Sequence, residues 1–142
     1  MMDYSKFIPK DKFDFESFSR LMILSEDEIK PILPELLSWI ADMNWSIAPE
    51  MVKVLVRFPN SIVPLIKEIL KPTEMDDEWK YFIITDLIPK LPEYVQELLF
   101  QDIIRIIECP TDGEVLSELV EVAKEYKEKF EKTSLKNKKT PE

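Results

Sequence analysis

Apolar side chains recur at three- and four-residue spacing along most of the chain, a pattern that is typical of amphipathic α-helices. The clearest stripe consists of Ile29, Ile32, Leu33, Leu36, Leu37 and Ile40. This stripe predicts a helix over residues 25–42, and similar stripes predict helices over residues 13–24, 48–58, 61–70, 77–88, 93–108 and 112–130. We therefore predict an all-α fold of six to seven helices with no β-sheet.

Capping residues and prolines mark the predicted helix ends. Ser25–Glu28 and Thr111–Glu114 both match the capping box, in which a hydroxyl and a glutamate satisfy each other's backbone amides. Asp76 or Asp77 suits the N-cap of the helix over residues 77–88. Pro34 either starts a fresh helix or kinks the helix over residues 25–42.

The same pattern divides the chain into three parts. Residues 1–12 mix aromatic and charged side chains and are predicted to form an extended N-terminal arm. Residues 13–131 are predicted to form a single helical domain. Residues 132–142 contain four lysines, one glutamate and one large apolar residue, and we predict a basic, disordered tail there.

An internal repeat refines the fold prediction. Residues 33–40 align with residues 63–70 at an offset of 30, and Asp42-x-x-Trp45 aligns with Asp76-x-x-Trp79 at an offset of 34. Each unit combines a helix, a turn with Asp, and Trp at the start of a second helix. This spacing favours a short α-α superhelix of HEAT/armadillo-like helix pairs.

The composition excludes several kinds of site. The chain contains no histidine, one cysteine and one glycine. It therefore has no His-based catalytic relay, no His- or Cys-ligated zinc site and no glycine-rich phosphate loop. Cys109 precedes Pro110 at a predicted helix end, where we expect a buried structural cysteine.

The charge further restricts the partners. The net charge is −9, and because the tail carries +3, the preceding residues carry −12. This acidity argues against nucleic acid and anionic membranes, and against the basic channel of HEAT-like DNA glycosylases. It permits a basic protein partner. No targeting or membrane-spanning segment is recognisable, so a cytoplasmic location is expected.

Residues 36–48 read Leu-Leu-Ser-Trp-Ile-Ala-Asp-Met-Asn-Trp-Ser-Ile-Ala. This segment resembles the signature Leu-Leu-x-Trp-Leu-x-Asp-Met-Asn-Trp-Pro-Val-Ala of a bacterial domain-of-unknown-function family. Residues 8–12, 79–81 and 109–114 also look like that family, and the resemblance spans residues 7–125. Ser46 stands where the family pattern has Pro, and Phe13 where it has His. The resemblance implies a HEAT-like helical repeat protein of the bacterial cytoplasm and no established activity.

The candidate interaction surface combines the tryptophans with the polar residues around them. It comprises Trp39, Asp42, Asn44, Trp45, Asp76, Asp77, Trp79 and Lys80. Each of these residues also has a structural interpretation, because tryptophans pack within helix pairs and Asp or Asn caps helices. The acids Glu74, Asp76, Asp77 and Glu78 lack the spacing of an EF-hand, so we expect a solvated loop.

These observations favour a non-catalytic protein-binding module, either an adaptor or an immunity-type inhibitor of a basic partner. No catalytic residue, cofactor or metal ligand is predicted. One alternative is a histidine-independent enzyme that uses carboxylates in a helical cleft, which would require a pocket with convergent polar groups. The other is a structural homo-oligomer, which would require an exposed apolar patch.

Overall fold

The computed structural model describes residues 5–138, with side chains over residues 6–135, and the fold of these residues is all-α without a β-strand. Their α-helices are α1 (Phe15–Leu21), α2 (Glu26–Ile29), α3 (Leu33–Ser38), α4 (Ala48–Leu55), α5 (Pro59–Ile69), α6 (Asp77–Phe82), α7 (Glu93–Glu108), α8 (Asp112–Leu116) and α9 (Leu119–Lys138). Short 3-10 helices cover Ser5–Phe7, Lys30–Ile32 and Ile88–Lys90, and a π-helix covers Ile83–Leu87. The all-α prediction is confirmed.

Prolines divide the helices more finely than the sequence pattern predicts. The continuous helix expected over residues 25–42 is instead α2, a 3-10 turn with Pro31, and α3 with Pro34 in its first turn. Proline has no backbone N–H to continue the helical hydrogen bonds, so Pro34 starts a fresh helix. Similarly, α5 begins at Pro59, two residues before the predicted start at residue 61.

The last predicted helix is interrupted near its start. Glu118 has a φ of 60°, in the left-handed region, and separates α8 from α9. The chain then stays helical to Lys138, so the prediction of a disordered tail is wrong for residues 132–138. Ion pairs four residues apart, such as Lys132 with Glu128 at 3.1 Å, support this end of α9. Residues 139–142 lie outside the described part of the chain.

Both predicted capping boxes are present. Ser25 and Thr111 each accept the amide of the glutamate three positions on, and each glutamate side chain accepts the cap amide in return. Asp76, not Asp77, caps α6 by accepting the Trp79 amide at 3.0 Å. Ser25, Asp76 and Thr111 therefore cap helices as their local sequence predicts.

One hydrophobic core joins the helices, and every residue of the stripe from Ile29 to Ile40 is buried in it. Helix α7 packs on α5 and α9, α6 packs on α9, and α3 packs on α4. The expected N-terminal arm is not extended throughout, because Ser5–Phe7 form a 3-10 helix. Phe7 and Ile8 pack against the core, and Pro9 is buried. Among the described helices, none has the length and apolar character needed to cross a bilayer.

The two aligned units share a helix–turn–helix plan but differ in their turns. Asp42 accepts the Asn44 amide at 2.8 Å in a turn that precedes α4, and α4 has no side-chain cap. Asp76 instead caps α6 directly. The expectation that Asp42 or Asn44 caps the following helix is therefore wrong, because three further residues separate Asn44 from α4.

Candidate functional site

A buried charged cluster joins α6, α7 and α8. Lys80 was a candidate for an exposed interaction surface, but its side chain is 0% exposed. Its ammonium group donates to the carboxylate of Glu114, which is also fully buried, at 2.7 Å. The surface interpretation of Lys80 is therefore wrong. Its position on the buried face of α6 explains why this lysine needs a carboxylate partner.

Arg105 completes the coordination of Glu114. Its two terminal nitrogens lie 2.5 and 2.8 Å from the two carboxylate oxygens, which is a bidentate arrangement. Arg105 also donates to the carbonyl of Leu70 at 2.6 Å, immediately after α5. The Thr111 amide adds a further hydrogen bond to Glu114 at 2.8 Å. The Glu114 carboxylate therefore joins α6, α7 and the start of α8, and Arg105 extends this network to the end of α5.

These contacts determine the protonation state of Glu114. Burial raises the pKa of its carboxyl, but hydrogen bonds from Arg105, Lys80 and the Thr111 amide outweigh that effect and lower the pKa to about 2. The carboxylate is consequently ionised at neutral pH and does not exchange protons there. Its arrangement suits structural organisation better than acid–base chemistry.

Asp77 balances the charge of this cluster. Its Oδ1 atom is buried, makes no hydrogen bond within the described residues, and lies 3.5 Å from the Lys80 ammonium nitrogen. Lys80 thus faces two carboxylates, those of Asp77 and Glu114. Because Oδ1 of Asp77 is buried without a hydrogen bond, atoms packed against this carboxylate can readily displace it.

The single glycine of the chain lies against Asp77. A Cβ atom at Gly113 would approach Oδ2 of Asp77 to 2.5 Å, well inside van der Waals contact. Glycine therefore lets the first turn of α8 pack closely on the start of α6. The sequence pattern placed Gly113 correctly within the capping box, but it did not predict the close approach to Asp77.

This packing gives a testable coupling between Gly113 and Asp77. Gly113→Ala should lower the free energy of unfolding by about 1 kcal/mol, because displacement of the carboxylate outweighs the better helix propensity of alanine. In an Asp77→Ala background the same substitution should be stabilising by about 0.5–1 kcal/mol. Urea denaturation of the four proteins measures the coupling, and the same effect of Gly113→Ala in both backgrounds would refute it.

A groove of about 320 Å³ opens beside the cluster, between α6 and the junction of α8 with α9. It is lined by Asp77, Glu78, Tyr81, Phe82 and Ser117, and we call it the acidic groove. The rings of Tyr81 and Phe82 meet edge to face, with centroids 5.3 Å apart. Carboxylates next to aromatic rings form a suitable environment for an ammonium or guanidinium group.

Exposed apolar side chains flank the acidic groove in the sequence. Leu116, next to Ser117, is 84% exposed, and Met75, two residues before Asp77, is 85% exposed. Val115 is also exposed. Large apolar residues with so little packing on the protein itself are candidates for the rim of an interface.

The tryptophans occupy half-buried positions. Trp39 and Trp45 form an edge-to-face pair with centroids 5.7 Å apart. Trp79 donates its indole N–H to the carbonyl of Leu37 at 3.1 Å, which joins α6 to α3. Trp39 and Trp79 also pack against the hydrophobic core. Their contacts agree with a packing role.

The remaining candidates are local or solvated. Asn44 is exposed, and Asp42 accepts its backbone amide. Glu74 accepts the amide of Asp76, and among residues 6–135 no group of acids, cysteines or histidines is arranged to hold a metal ion. Cys109 is exposed, so the expected buried cysteine is wrong; it ends α7 at the surface, where the chain turns to Pro110.

Sequence reasoning identified Asp77 and Lys80 but missed Arg105, Tyr81 and Phe82. The sequence signal for the buried cluster was the apolar stripe of α6. Lys80 lies within this stripe and therefore on the buried face of the helix, where a lysine requires a carboxylate partner. Glu78 of α6 and Glu114 of α8 gave no such signal in the sequence, because the capping box by itself explains a glutamate at position 114.

A protein-family model described as a domain of unknown function (DUF5071) matches residues 7–127. The match includes the whole buried cluster and the whole acidic groove. No curated protein matches the chain.

Proposed function

This chain belongs to the DUF5071 family of domains of unknown function, and we propose that it is a non-catalytic protein-binding module. In this proposal the acidic groove receives a lysine or arginine side chain of a basic partner protein. The role fits an adaptor or an immunity-type inhibitor acting in the bacterial cytoplasm. Histidine-free composition and the saturated hydrogen bonding of Glu114 are consistent with binding instead of catalysis.

The observation that carries this proposal is the chemistry of the acidic groove. Glu78 supplies an exposed carboxylate on one wall, and Tyr81 and Phe82 supply aromatic surface for cation–π contact. The net charge of −9 adds long-range attraction for a basic protein. Exposed Leu116 offers apolar contact area next to this charged recognition point.

The buried cluster gives the groove a rigid base. Asp77 belongs to both, because it lines the groove and lies 3.5 Å from Lys80. Lys80 is in turn fixed by Glu114, so the wall of the groove does not depend on loop order. A wall that is already ordered loses less conformational entropy when a partner binds.

The proposal retains the HEAT-like interpretation of the fold. Its support is the packing of α3 against α4 and the matching helix–turn–helix plan of α5 and α6. Helix pairs of this kind present curved surfaces to partner proteins.

A comparative capture experiment tests the binding role. The full chain, a Glu78→Lys variant and a Glu35→Lys variant serve as baits in lysate of the source cells. Both substitutions change the net charge equally, but Glu35 lies on α3 and does not line the groove. We expect basic proteins on the wild-type and Glu35→Lys baits, and their loss from the Glu78→Lys bait, because charge reversal repels the partner.

Quantitative mass spectrometry of the three captured fractions gives the result. Capture of the same basic proteins by all three baits would contradict the use of the acidic groove. Absence of any specifically captured basic protein at every salt concentration would contradict the binding role itself.

A further inference from the structure

The exposed carboxylate of the acidic groove, that of Glu78, has no counter-ion within the described residues. Its side chain makes neither an ion pair nor a hydrogen bond there. None of the side chains that line the groove is basic. Lys80, the lysine of α6, is turned inward and donates to Glu114 at 2.7 Å. A cation brought by another molecule therefore meets no competing cation in the lining of the groove.

An aromatic ring lies one helical turn from this carboxylate. Tyr81 follows Glu78 by three residues on α6, a spacing that places two side chains on one face with about 5–6 Å between their Cβ atoms. The ring of Tyr81 is 36% exposed, is more accessible than that of Phe82, and meets it at 84°. The groove thus combines a carboxylate and an accessible ring within the reach of one side-chain head group.

A hydroxyl group extends the polar lining to the opposite wall. Ser117, at the junction of α8 with α9, lines the groove, and its side chain makes no hydrogen bond within the described residues. A hydroxyl oxygen accepts hydrogen bonds, as a carboxylate does. Ser117 and Glu78 therefore provide acceptors from two different walls, and a group with several donors in one plane can use both.

A guanidinium group suits this lining better than an ammonium group does. The groove is open to solvent, since Glu78, Tyr81 and Ser117 are all exposed. An ammonium is compact and strongly hydrated, so in an open groove it retains its water and gains little from the ring. A guanidinium is planar and weakly hydrated, and it can stack on an aromatic ring while its fork of donors pairs with a carboxylate.

We propose that the acidic groove selects arginine over lysine. The guanidinium of the partner lies flat on Tyr81, and its N–H groups donate to the carboxylate of Glu78 and to the hydroxyl of Ser117. This inference rests on the proposed function, because it names the side chain that the groove receives. Leu116 precedes Ser117 and is 84% exposed, so apolar residues beside that arginine gain contact there.

Three pentapeptides of the form acetyl-Ala-Leu-X-Leu-Ala-amide test this selection, with X as arginine, lysine or citrulline. Lysine keeps the charge without the plane, and citrulline keeps the plane without the charge. Chemical-shift titration of the isotope-labelled full chain at low salt gives each dissociation constant and the residues affected. The arginine peptide should bind about two- to fivefold more tightly than the lysine peptide, and about fivefold or more tightly than the citrulline peptide, with the largest shifts at residues 77–82 and 117.

Variants of the groove assign this preference to its residues. Tyr81→Leu should bind the arginine and lysine peptides equally, and Tyr81→Phe should retain the preference, because the ring alone is required. Glu78→Gln should weaken the binding of both peptides about threefold. The matched Glu35→Gln, on α3 and outside the groove, should leave both affinities unchanged. The dispersion of each spectrum reports whether the variant is folded.

The outcomes separate the choice of arginine from the proposed function. Equal binding of the arginine and lysine peptides to the wild type would overturn the choice of arginine and leave the groove as a site for basic side chains. An arginine preference that persists in Tyr81→Leu would overturn it as well, because the ring would then not be its cause. Absence of shifts at residues 77–82 and 117 with every peptide at millimolar concentration would contradict the proposed function too.

Discussion

Glu114→Ala should lower the free energy of unfolding by about 3–5 kcal/mol, because it leaves the Lys80 ammonium buried without its principal carboxylate partner. Both side chains are fully buried, so water cannot replace the lost contact without local opening. Arg105 also loses its bidentate partner and retains only carbonyl acceptors. This loss approaches half the stability of an ordinary small domain.

Urea denaturation at neutral pH measures the effect, with Glu35→Ala as the control. Glu35 is exposed on α3, and its replacement should change the free energy of unfolding by less than about 0.5 kcal/mol. Lys80→Met combined with Glu114→Leu should recover only part of the stability, because it removes the unpaired buried ammonium but leaves Arg105 and Asp77 without their charged partners. A loss in Glu114→Ala no larger than in Glu35→Ala would show that the buried cluster is not structural.

Acid should remove the contribution of Glu114 over a defined pH range. Its pKa falls from an ordinary 4.5 to about 2 on folding, so the folded state binds this proton more weakly than the unfolded state does. The stabilisation is therefore fully present above about pH 4.5 and is lost as the pH falls through about 2, with a magnitude of about 3 kcal/mol.

Comparison with Glu114→Gln isolates this group from the other acids. Glutamine keeps the shape of the side chain but cannot ionise. Residue 114 of this variant therefore contributes nothing to the pH dependence of the free energy of unfolding. Between pH 5 and pH 2 the wild-type and variant free energies of unfolding should converge by about 3 kcal/mol. Parallel pH profiles of the two proteins would contradict an ionised Glu114 in the folded state.

The helices were largely predictable because their signals are local. The stripe from Ile29 to Ile40, both capping boxes and the bounds of α7 all depend on residues within a few turns of one another. The breaks were less predictable. The left-handed Glu118 has no local marker such as glycine, and the helical end of α9 is rich in lysine, which resembles a disordered tail in composition.

The site was only partly predictable because its contacts span long distances in the sequence. Lys80 and Glu114 are 34 residues apart, and Arg105 reaches the carbonyl of Leu70 from 35 residues away. A net charge shows an excess of acids but not which acid faces which lysine. The single glycine was conspicuous in the composition, but only the structure shows that a side chain at position 113 would collide with Asp77.

The buried cluster and the acidic groove form one connected unit. Glu114 positions Lys80, Lys80 faces Asp77, and Asp77 lines the groove. Substitutions at Glu78 or Tyr81 change the groove without disturbing the buried charges, since neither residue contacts Glu114 in the described part of the chain. Binding and stability are therefore separable by mutation.

The affinity of the acidic groove for a purified basic partner tests the proposed binding role most directly. Isothermal titration should compare the partner's binding to the wild type, to Glu78→Lys and to Glu35→Lys at two salt concentrations. We expect equal affinities for the wild type and Glu35→Lys, and binding about tenfold weaker for Glu78→Lys, with the difference reduced at high salt. Equal affinity of all three proteins for the partner would contradict the acidic groove as the binding site.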